Sequence, residues 1–397
     1  MPLANSSLTR LRYAQELTFG SVTGATARRQ IRSLGSSFKY DISFTDSKEI
    51  RPDRQLPDHI PVGASSGGSV NFELSYREYD DLIAAALQSA PVRFNTTGTS
   101  PTLTTPTFTT STLTQTAGTS FATIARGQWV KIQGITGALL ANNGVYQVSL
   151  TVAPTATVIT FEGTPFTAGS ATGTVTISTS RIVNGSTQRS FAFEPEYTDQ
   201  ALFQTFRGQV LSKMSLSAQS KSILTGSFEF TGTDQMALSG TSNLPGTDDV
   251  LFPSTFDVLN TSSNFAAILE GGAPLTSTFV KSITLDTDNG VAGQDAVANL
   301  APIGMRSNRF QVSGKMSVYF QTAALFNKFI NNTTSSVAFR VQDAAGNGYV
   351  FTIPAVEYTA GGLSVGSLDQ DIMIDLDFKA EIDPLSGRMI LVDYFGV

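Results

Sequence analysis

Alternating apolar and polar positions recur along most of the chain and predict short, half-buried β-strands. One such strand runs directly into a segment in which Tyr79, Leu82 and Ile83 share a face at helical spacing. The second half of the chain repeats this order of strand, long loop, strand and helix. The corresponding segments are 38–44, 68–76 and 79–87 in the first half and 279–285, 314–320 and 323–330 in the second. Only strands follow in both halves, so the pattern predicts a mainly β chain in which one unit with a single helix occurs twice.

A segment without this repeat interrupts the first unit. The second unit joins its helix to the next strand through a few residues at 332–335, whereas the first unit has about 100 residues at the same junction. Within 95–180 only Arg126, Lys131 and Glu162 are charged, and glycine- and asparagine-rich turns separate short alternating runs. This predicts a small all-β domain inserted into a surface loop. We therefore divide the chain into a first unit at 1–94 and 186–238, an insertion at 95–185, a linker at 239–262 and a second unit at 263–397.

Composition narrows the chemistry that the chain can perform. The 397 residues include no cysteine, one histidine and one tryptophan, and only 15% of them are charged. This excludes thiolate metal sites, disulfides and cysteine nucleophiles. The net charge of −6 argues against a grip on nucleic-acid phosphates. No apolar run approaches the roughly 18 residues of a membrane span, and the N-terminus lacks the apolar core of a signal peptide. We expect a soluble protein, made in a cytoplasm and without membrane partners.

Motifs for catalysis or metal binding are weak. Residues 63–67 match the G-x-S-x-G pattern around Ser65, but a proline-rich loop precedes them and the only histidine, His59, lies upstream. A flexible glycine–serine loop is the favoured interpretation. Asp286 and Asp288 resemble the start of a calcium loop, but no acidic twelfth ligand follows, which favours a turn. We predict that the protein is not an enzyme and has no cofactor or metal.

Two other features indicate a mechanical role. The segment 46–61 is long for a connection between two strands, and it contains both charge signs, three prolines and three apolar residues. The sequence leaves open whether it covers its own unit or reaches a neighbouring subunit. The predicted strand 369–378 places four carboxylates on one face: Asp369, Asp371, Asp375 and Asp377. Because like charges on one strand face repel, this face is either simply solvated or selected to repel another polyanion.

Several sequence blocks, taken together and in order, carry a resemblance to a known family. They lie at Leu11–Gly20, Glu49–Gln55, Phe72–Tyr76 with Tyr79–Leu82, Phe206–Gly208, Ser222–Phe228, Ala323–Phe329 and Asp343–Tyr349. These blocks resemble those of the major tail tube proteins of long-tailed bacteriophages with non-contractile, siphovirus-type tails. The resemblance covers nearly the whole chain, and Asn142–Tyr146 in the insertion is similar to a turn in relatives that carry an extra domain.

The resemblance implies a fold, an assembly and a location. Each repeated unit is expected to be a tail-tube module, a β-sandwich or barrel with one flanking α-helix, so the chain holds two tandem modules plus the inserted domain. Relatives with one module form six-fold rings, which implies homotrimeric, pseudo-six-fold rings for a chain with two. Stacked rings would form the tail tube of the virion. The expected partners are further copies of the chain, tail terminator and tail tip proteins, the tape measure protein in the lumen, and double-stranded DNA in transient, non-specific passage.

The resemblance also assigns roles to the two mechanical features. The segment 46–67 becomes a stacking loop that contacts the neighbouring ring or subunit, with Lys48, Glu49, Arg51, Asp53, Arg54, Leu56, His59 and Ile60 as candidate contacts. A negatively charged lumen would let genome DNA slide into the host, and strand parity makes Asp41, Asn71, Glu73, Asp371, Asp375 and Asp377 the candidate lining residues. Lys39 and Lys315 depart from a purely acidic lining. We further expect the insertion to project outward and the termini, 1–27 and 389–397, to act as arms between subunits.

Two other functions remain as alternatives. The main alternative is a phage or bacterial surface adhesin whose inserted domain binds carbohydrate. Assembly separates the two, because a tube protein forms long hollow filaments, whereas an adhesin stays discrete and binds glycans. A hydrolase that uses Ser65 is the third possibility, and it predicts an activity that is lost in Ser65→Ala.

Overall fold

The computed structural model describes residues 5–93, 101–246, 250–251, 256–275, 279–364, 368 and 370–396. Over these ranges the chain forms thirty strands and two short α-helices, and most of the strands join one extended sheet. The predicted mainly β fold class is therefore confirmed. No helix within these ranges is long and apolar enough to cross a membrane.

The first part of the chain forms six strands and the first helix. The strands are β1 (Thr9–Gln15), β2 (Arg29–Ile31), β3 (Gly35–Ser36), β4 (Lys39–Asp46), β5 (His59–Glu73) and β6 (Val92–Arg93), the helix is α1 (Asp80–Ala86), and a 3-10 turn covers Ser6–Leu8. Two carboxylates, Asp80 and Asp81, lie in the first turn of α1, where their negative charge interacts favourably with the positive end of the helix dipole. Leu82, Ile83 and Ala86 are fully buried, so α1 is held by packing rather than by its length.

The inserted segment forms two small sheets with their own core. Its strands are β7 (Thr107–Phe108), β8 (Thr112–Thr114), β9 (Trp129–Gln133), β10 (Gly144–Gln147), β11 (Val158–Thr160), β12 (Gly169–Ser170) and β13 (Thr176–Ser178), with 3-10 turns at Phe121–Thr123 and Gly137–Asn142. One sheet has the order β10-β9-β13 and the other β11-β8-β7-β12. Phe121, Val130 and Ile159 are fully buried in a cluster separate from the main core. Residues 94–100, where the predicted insertion begins, lie outside the described residues, and the domain boundaries stay a prediction.

The chain then completes the first unit. The strands are β14 (Ser180–Val183), β15 (Ser190–Tyr197), β16 (Leu202–Phe203), β17 (Phe206–Gln219), β18 (Thr225–Gly232), β19 (Asp234–Gln235) and β20 (Val250–Leu251). β20 lies within the predicted linker and pairs in parallel with β2.

The second unit follows with ten strands and the second helix. The strands are β21 (Phe265–Glu270), β22 (Ala273–Pro274), β23 (Val280–Asp288), β24 (Ala292–Gln294), β25 (Gly304–Arg306), β26 (Gln311–Tyr319), β27 (Ser335–Gln342), β28 (Gly348–Ser364), β29 (Met373–Ala380) and β30 (Leu391–Phe395), and the helix is α2 (Ala324–Ile330).

The two units share the order of their main strands. The first unit has the antiparallel order β4-β5-β18-β17 and the second β23-β26-β29-β28. In each unit a further strand, β15 or β27, pairs with the first half of the long strand β17 or β28. The register shifts recur at corresponding places, after Leu211 in the first unit and after Tyr358 in the second. The predicted internal repeat is thus present in the structure.

Individual hydrogen bonds repeat as well. The Ser69 N–H donates to Ser37 Oγ at 3.0 Å, and the Lys315 N–H donates to Thr284 Oγ1 at 3.1 Å. These residues occupy equivalent positions, since Ser69 lies opposite Glu229 on β18 just as Lys315 lies opposite Asp377 on β29. Counterparts can therefore be assigned residue by residue between the units.

A junction joins the two units into one eight-stranded sheet. The second half of β17 pairs antiparallel with β23, so the strands run β4-β5-β18-β17-β23-β26-β29-β28 without a break. One face of this sheet is apolar and forms the main core, with fully buried side chains that include Val70, Phe72, Phe228, Met316, Leu376 and Phe378. Both helices and the strands β15, β27 and β30 contribute buried side chains to the same core.

Two predicted loops are strands instead. Residues 59–67 belong to β5 and pair with β4, so the prediction of a loop is wrong for 63–67 and for the second half of the segment 46–67. The role of that segment in stacking stays a prediction. The glycines allow neighbouring backbones to approach: a Cβ at Gly68 would lie 2.6 Å from the Phe38 Cα. Asp286 and Asp288 likewise lie in β23 and not in the predicted turn, because the strand ends only at Asp288.

The expectation that the termini act as arms between subunits is wrong for residues 9–15 and 391–395, which pair within their own subunit. β1 pairs with β15 and β2, and β30 pairs with β14 and β28. Their alternating apolar residues, such as Leu11, Tyr13, Val392 and Tyr394, are buried in the subunit's own core. Residues 9–15 and 391–395 therefore stabilise their own fold.

Candidate functional site

The exposed face of the eight-stranded sheet is polar across its width. Residues directly opposite each other on paired strands lie on the same face, so the register defines rows of side chains. One row crosses seven strands through Asn71, Ser227, Ser215, Asp286, Ser313, Lys379 and Glu357. The adjacent row runs through Glu73, Thr225, Ser217, Thr284, Lys315, Asp377 and Ala360. All of these residues are exposed or half-buried, while their sequence neighbours inside the strands are mostly buried.

Carboxylates outnumber lysines on this polar sheet face. The lysines are Lys39, Lys213, Lys315 and Lys379, and the carboxylates are Asp41, Glu73, Glu229, Asp286, Asp288, Glu357, Asp375 and Asp377. Three lysines form ion pairs on the face itself: Lys39 with Asp41 at 2.7 Å, Lys213 with Asp288 at 3.6 Å and Lys315 with Asp377 at 3.2 Å. Because exposed pairs contribute little stability, their main effect is to neutralise the lysines and leave a net negative surface.

Most of the predicted lining residues lie on this one face. Asp41, Asn71, Glu73, Asp375 and Asp377 occupy it on three different strands, β4, β5 and β29. Asp371 does not share their strand geometry, because β29 begins only at Met373, and Asp371 is an exposed residue ahead of it. Asp369 lies outside the described residues. The structure thus brings together, across the two units, residues that the sequence placed on separate strands.

Sequence reasoning missed four carboxylates on the polar sheet face: Glu229, Asp286, Asp288 and Glu357. Asp286 and Asp288 were assigned to a turn because Asp, Asn and Gly follow one another there. The alternation Ile283, Leu285, Thr287, with every second residue buried, continues through both aspartates and would have placed them on a strand.

The predicted stacking loop stands away from the body of the subunit. Ile50 is 98% exposed and Leu56 58% exposed, so neither covers its own unit. Arg51 binds Asp53 through two hydrogen bonds of 3.0 and 3.2 Å, and this contact lowers the pKa of the Asp53 carboxyl. Lys48, Glu49 and Arg54 are also exposed loop residues, whereas the candidates His59 and Ile60 begin β5.

The ring of His59 is held at the base of this loop. Its Nδ1 lies 2.5 Å from Asp46 Oδ1, and the imidazole stacks on Phe44 with ring centroids 4.6 Å apart. Ser65 lies on β5 with His59 and pairs with Asp41 on β4. Ser65 and His59 are six residues apart, which is about 20 Å along an extended strand. A strand also replaces the strand-to-helix elbow that a hydrolase serine requires. Among the described residues, no group of three or more His, Asp or Glu side chains is arranged to hold a metal ion.

The insertion is anchored to the rest of the fold around β9, β14, β28 and β30. Arg181 donates from Nε and Nη2 to the fully buried carboxylate of Asp393 at 2.6 and 2.7 Å, and the Trp129 N–H donates to the same carboxylate at 3.1 Å. Burial raises the pKa of the Asp393 carboxyl, and the Arg181 guanidinium opposes that shift. The Trp129 ring packs against Val350 and Phe395, in the layer formed by β27, β28 and β30.

Comparison with known protein families returns one family model, matched twice. The model described as phage tail tube protein matches residues 6–194 and again residues 162–380. The first match contains β4, β5 and α1, and the second contains their counterparts β23, β26 and α2. No curated protein matches the chain in sequence.

Proposed function

The chain belongs to the phage tail tube protein family, and from that premise we propose that its copies form the wall of a non-contractile phage tail with the polar sheet face lining the bore. Membership means that the protein is a structural component of the virion tail, assembles with itself into a tube, and contains two tandem tube modules. The function is structural rather than catalytic. The proposal that the polar sheet face lines the bore rests on the eight-stranded sheet, which is buried on one face and polar on the other over both modules.

The charge of the polar sheet face supports passage of DNA. A surface that offered unpaired lysines and arginines would neutralise phosphates, release counterions and hold DNA in place. Here eight carboxylates face four lysines, three of which are already paired. A duplex moving from the capsid to the host would therefore meet repulsion instead of binding contacts. The same bore would hold the tape measure protein before ejection.

Three copies per ring follow from the duplication. The family resemblance implies six modules around the bore in single-module relatives, and this chain supplies two equivalent modules joined through β17 and β23. A closed ring of three chains reproduces the same six positions. The tube ends would contact the tail terminator and tail tip proteins.

The remaining surfaces fit this orientation. The loop 47–58 presents Ile50 and Leu56 to solvent, which suits a contact with the next ring. The insertion rests on β27, β28 and β30, behind the core as seen from the polar sheet face, so it would project from the outer wall of the tube.

Thiol labelling tests the orientation, because the chain has no native cysteine. We choose Asp375→Cys on the polar sheet face and Thr151→Cys on the exposed surface of the insertion. In free subunits a bulky polyethylene-glycol maleimide should modify both variants. In assembled tubes it should modify Thr151→Cys only, because the bore excludes the polymer.

Equal labelling of Asp375→Cys in tubes and in free subunits would refute the lumen assignment. Electron microscopy of the same preparations tests assembly itself. A protein that stays discrete and binds glycans would instead support the adhesin.

A further inference from the structure

The junction between the two modules within one chain is a template for the contact between chains. We propose that the free edge of β28 pairs antiparallel with the β3–β4 edge of a second copy, in the register Ala360 to Asp41, Gly362 to Lys39 and Leu363 to Phe38. This inference rests on the proposed function and specifies which edges meet, in which register and with which side chains in contact.

The template is the pairing of β17 with β23. Seven consecutive residue pairs join these strands, from Lys213 opposite Asp288 to Gln219 opposite Ser282. The shared register shifts make β28 the counterpart of β17, so that Ala360, Gly362 and Leu363 correspond to Lys213, Ser215 and Leu216. The β4–β5 and β23–β26 registers make Phe38, Lys39 and Asp41 correspond to Leu285, Asp286 and Asp288.

Both edges named in the proposal are open in the single chain. Within the described residues, β3 and β4 pair only with β5. In the part of the chain that the structure describes, the second half of β28 pairs only with β29, whereas the matching half of β17 has a strand on each side. An open edge presents unpaired N–H and C=O groups that can bind another strand. The chain therefore has two open edges, that of β3–β4 and that of the second half of β28, and in a ring a neighbouring copy on each side supplies the missing strand.

Side-chain exposure at these edges supports a partner of this shape. Leu216 is 3% exposed and its junction partner Leu285 is 1% exposed, and both lie in the main core. Leu363, the counterpart of Leu216, is 43% exposed. Phe38, the counterpart of Leu285, is only partly buried. Bringing Leu363 and Phe38 together would bury both, as the internal junction buries their counterparts.

The two helices show the same difference. α1 is buried at the internal junction, where Asn289 Nδ2 donates to the Ala86 carbonyl at 2.9 Å and Tyr349 Oη donates to Asp80 Oδ1 at 2.6 Å. On α2 the last residue, Ile330, is 62% exposed. The counterpart of Asn289 is Ile42, which is 43% exposed on β4.

The proposed register places Ile42 of the next copy beside β28, at the position that Asn289 occupies beside β17. An apolar side chain would thus replace the amide that binds the Ala86 carbonyl at the internal junction.

Charge on the polar sheet face is also complementary at the proposed junction. Gly362 lies opposite Asp375 on β29, and the register places Lys39 of the next copy on the other side of Gly362. Since Gly362 has no side chain, nothing separates that lysine from Asp375 across two strand spacings of about 4.8 Å each. A lysine side chain can span this distance.

Disulfide cross-linking tests the register. The double variant Gly362→Cys with Lys39→Cys should form covalent dimers and trimers, and nothing larger, when tubes are oxidised and run on a denaturing non-reducing gel. A Cβ at Gly362 meets no atom within 4 Å, so the substitution fits. The second in-register pair, Ala360→Cys with Asp41→Cys, should give the same ladder.

Matched controls come from the same sheet. Ser215→Cys with Asp286→Cys has the same geometry at the internal junction and should close within one chain, with no oligomer. Gly362→Cys with Ser43→Cys is four residues out of register, which is about 13 Å along a strand. It should not cross-link, because disulfides require Cα atoms closer than about 7 Å.

The outcomes separate this proposal from the proposed function. Tubes that form but give no ladder with either in-register pair, while the internal pair closes, overturn the register and leave the tube function standing. A ladder with the out-of-register pair also overturns it. A ladder that continues past three chains overturns the closed three-chain ring. A wild-type protein that never forms tubes overturns the proposed function itself.

Discussion

Replacing Leu363 by aspartate should abolish tube formation while leaving the fold of the free subunit intact. Leu363 is 43% exposed in the single chain, so a charged side chain there can remain in water. The counterpart Leu216, which has β23 beside it, is 3% exposed. Ring closure would cover Leu363 in the same way and would then bury the aspartate.

The size of the effect follows from the area that assembly would cover. Fully burying a leucine side chain contributes about 1.5–3 kcal/mol, so covering the exposed 43% contributes about 1 kcal/mol at each junction. Leu363→Ala should therefore weaken each junction about 5-fold. The aspartate adds the cost of desolvating a charge, at least about 3 kcal/mol, and should weaken each junction more than about 100-fold.

The assay is the critical concentration for tube formation, measured by pelleting and electron microscopy, together with the thermal unfolding midpoint of the free subunit. Val152→Asp is the matched control, because Val152 is 48% exposed on the insertion and lies away from both edges. The reasoning is refuted if Leu363→Asp assembles at the wild-type concentration. It is also refuted if Val152→Asp impairs assembly equally.

Three further variants test the fold and the stacking contact. Arg181→Met should lower the free energy of unfolding in urea by about 3–5 kcal/mol, because it leaves the fully buried carboxylate of Asp393 without its ion pair; unchanged stability would contradict that role. Phe72→Ala should cost about 3–5 kcal/mol in the same assay, since Phe72 is fully buried in the main core; a loss below about 1 kcal/mol would contradict the packing. The double variant Ile50→Asp with Leu56→Asp should still close rings but not stack them, and electron microscopy showing long tubes would argue against the stacking loop.

The sequence predicts those parts of the fold in which side-chain periodicity matches local structure. The alternation through Val70, Phe72 and Leu74 identifies the end of β5, and the spacing of Leu82 and Ile83 identifies α1. Both patterns arise because one face of the element is buried in the core. Their recurrence in the second half was sufficient to reveal the duplication.

The sequence does not predict strands in which apolar and polar residues fail to alternate. Residues 63–67 of β5 are glycine, alanine and serine, so neither face is marked as apolar. Pairing with β4 and close backbone contacts hold this segment extended, and those interactions depend on distant parts of the chain. Asp286 and Asp288 were missed for the opposite reason, because their composition is typical of turns although their partners on β17 keep them in a strand.

The polar sheet face could be predicted only in fragments. Strand parity placed Asp41, Glu73 and Asp375 on the solvent sides of their own strands. Their union into one surface depends on the pairing of β17 with β23, which joins residues about 70 positions apart. Side-chain patterns specify which face of a strand is buried, but they do not specify which edges meet.

A cryo-electron microscopy map of tubes formed by the purified protein tests the central claim most directly. We predict rings of three chains whose inner wall consists of three copies of the eight-stranded sheet, with Asp286, Asp375 and Asp377 facing the bore and the insertion outside. Rings of six chains, or a bore lined by any other surface of the subunit, would contradict this account.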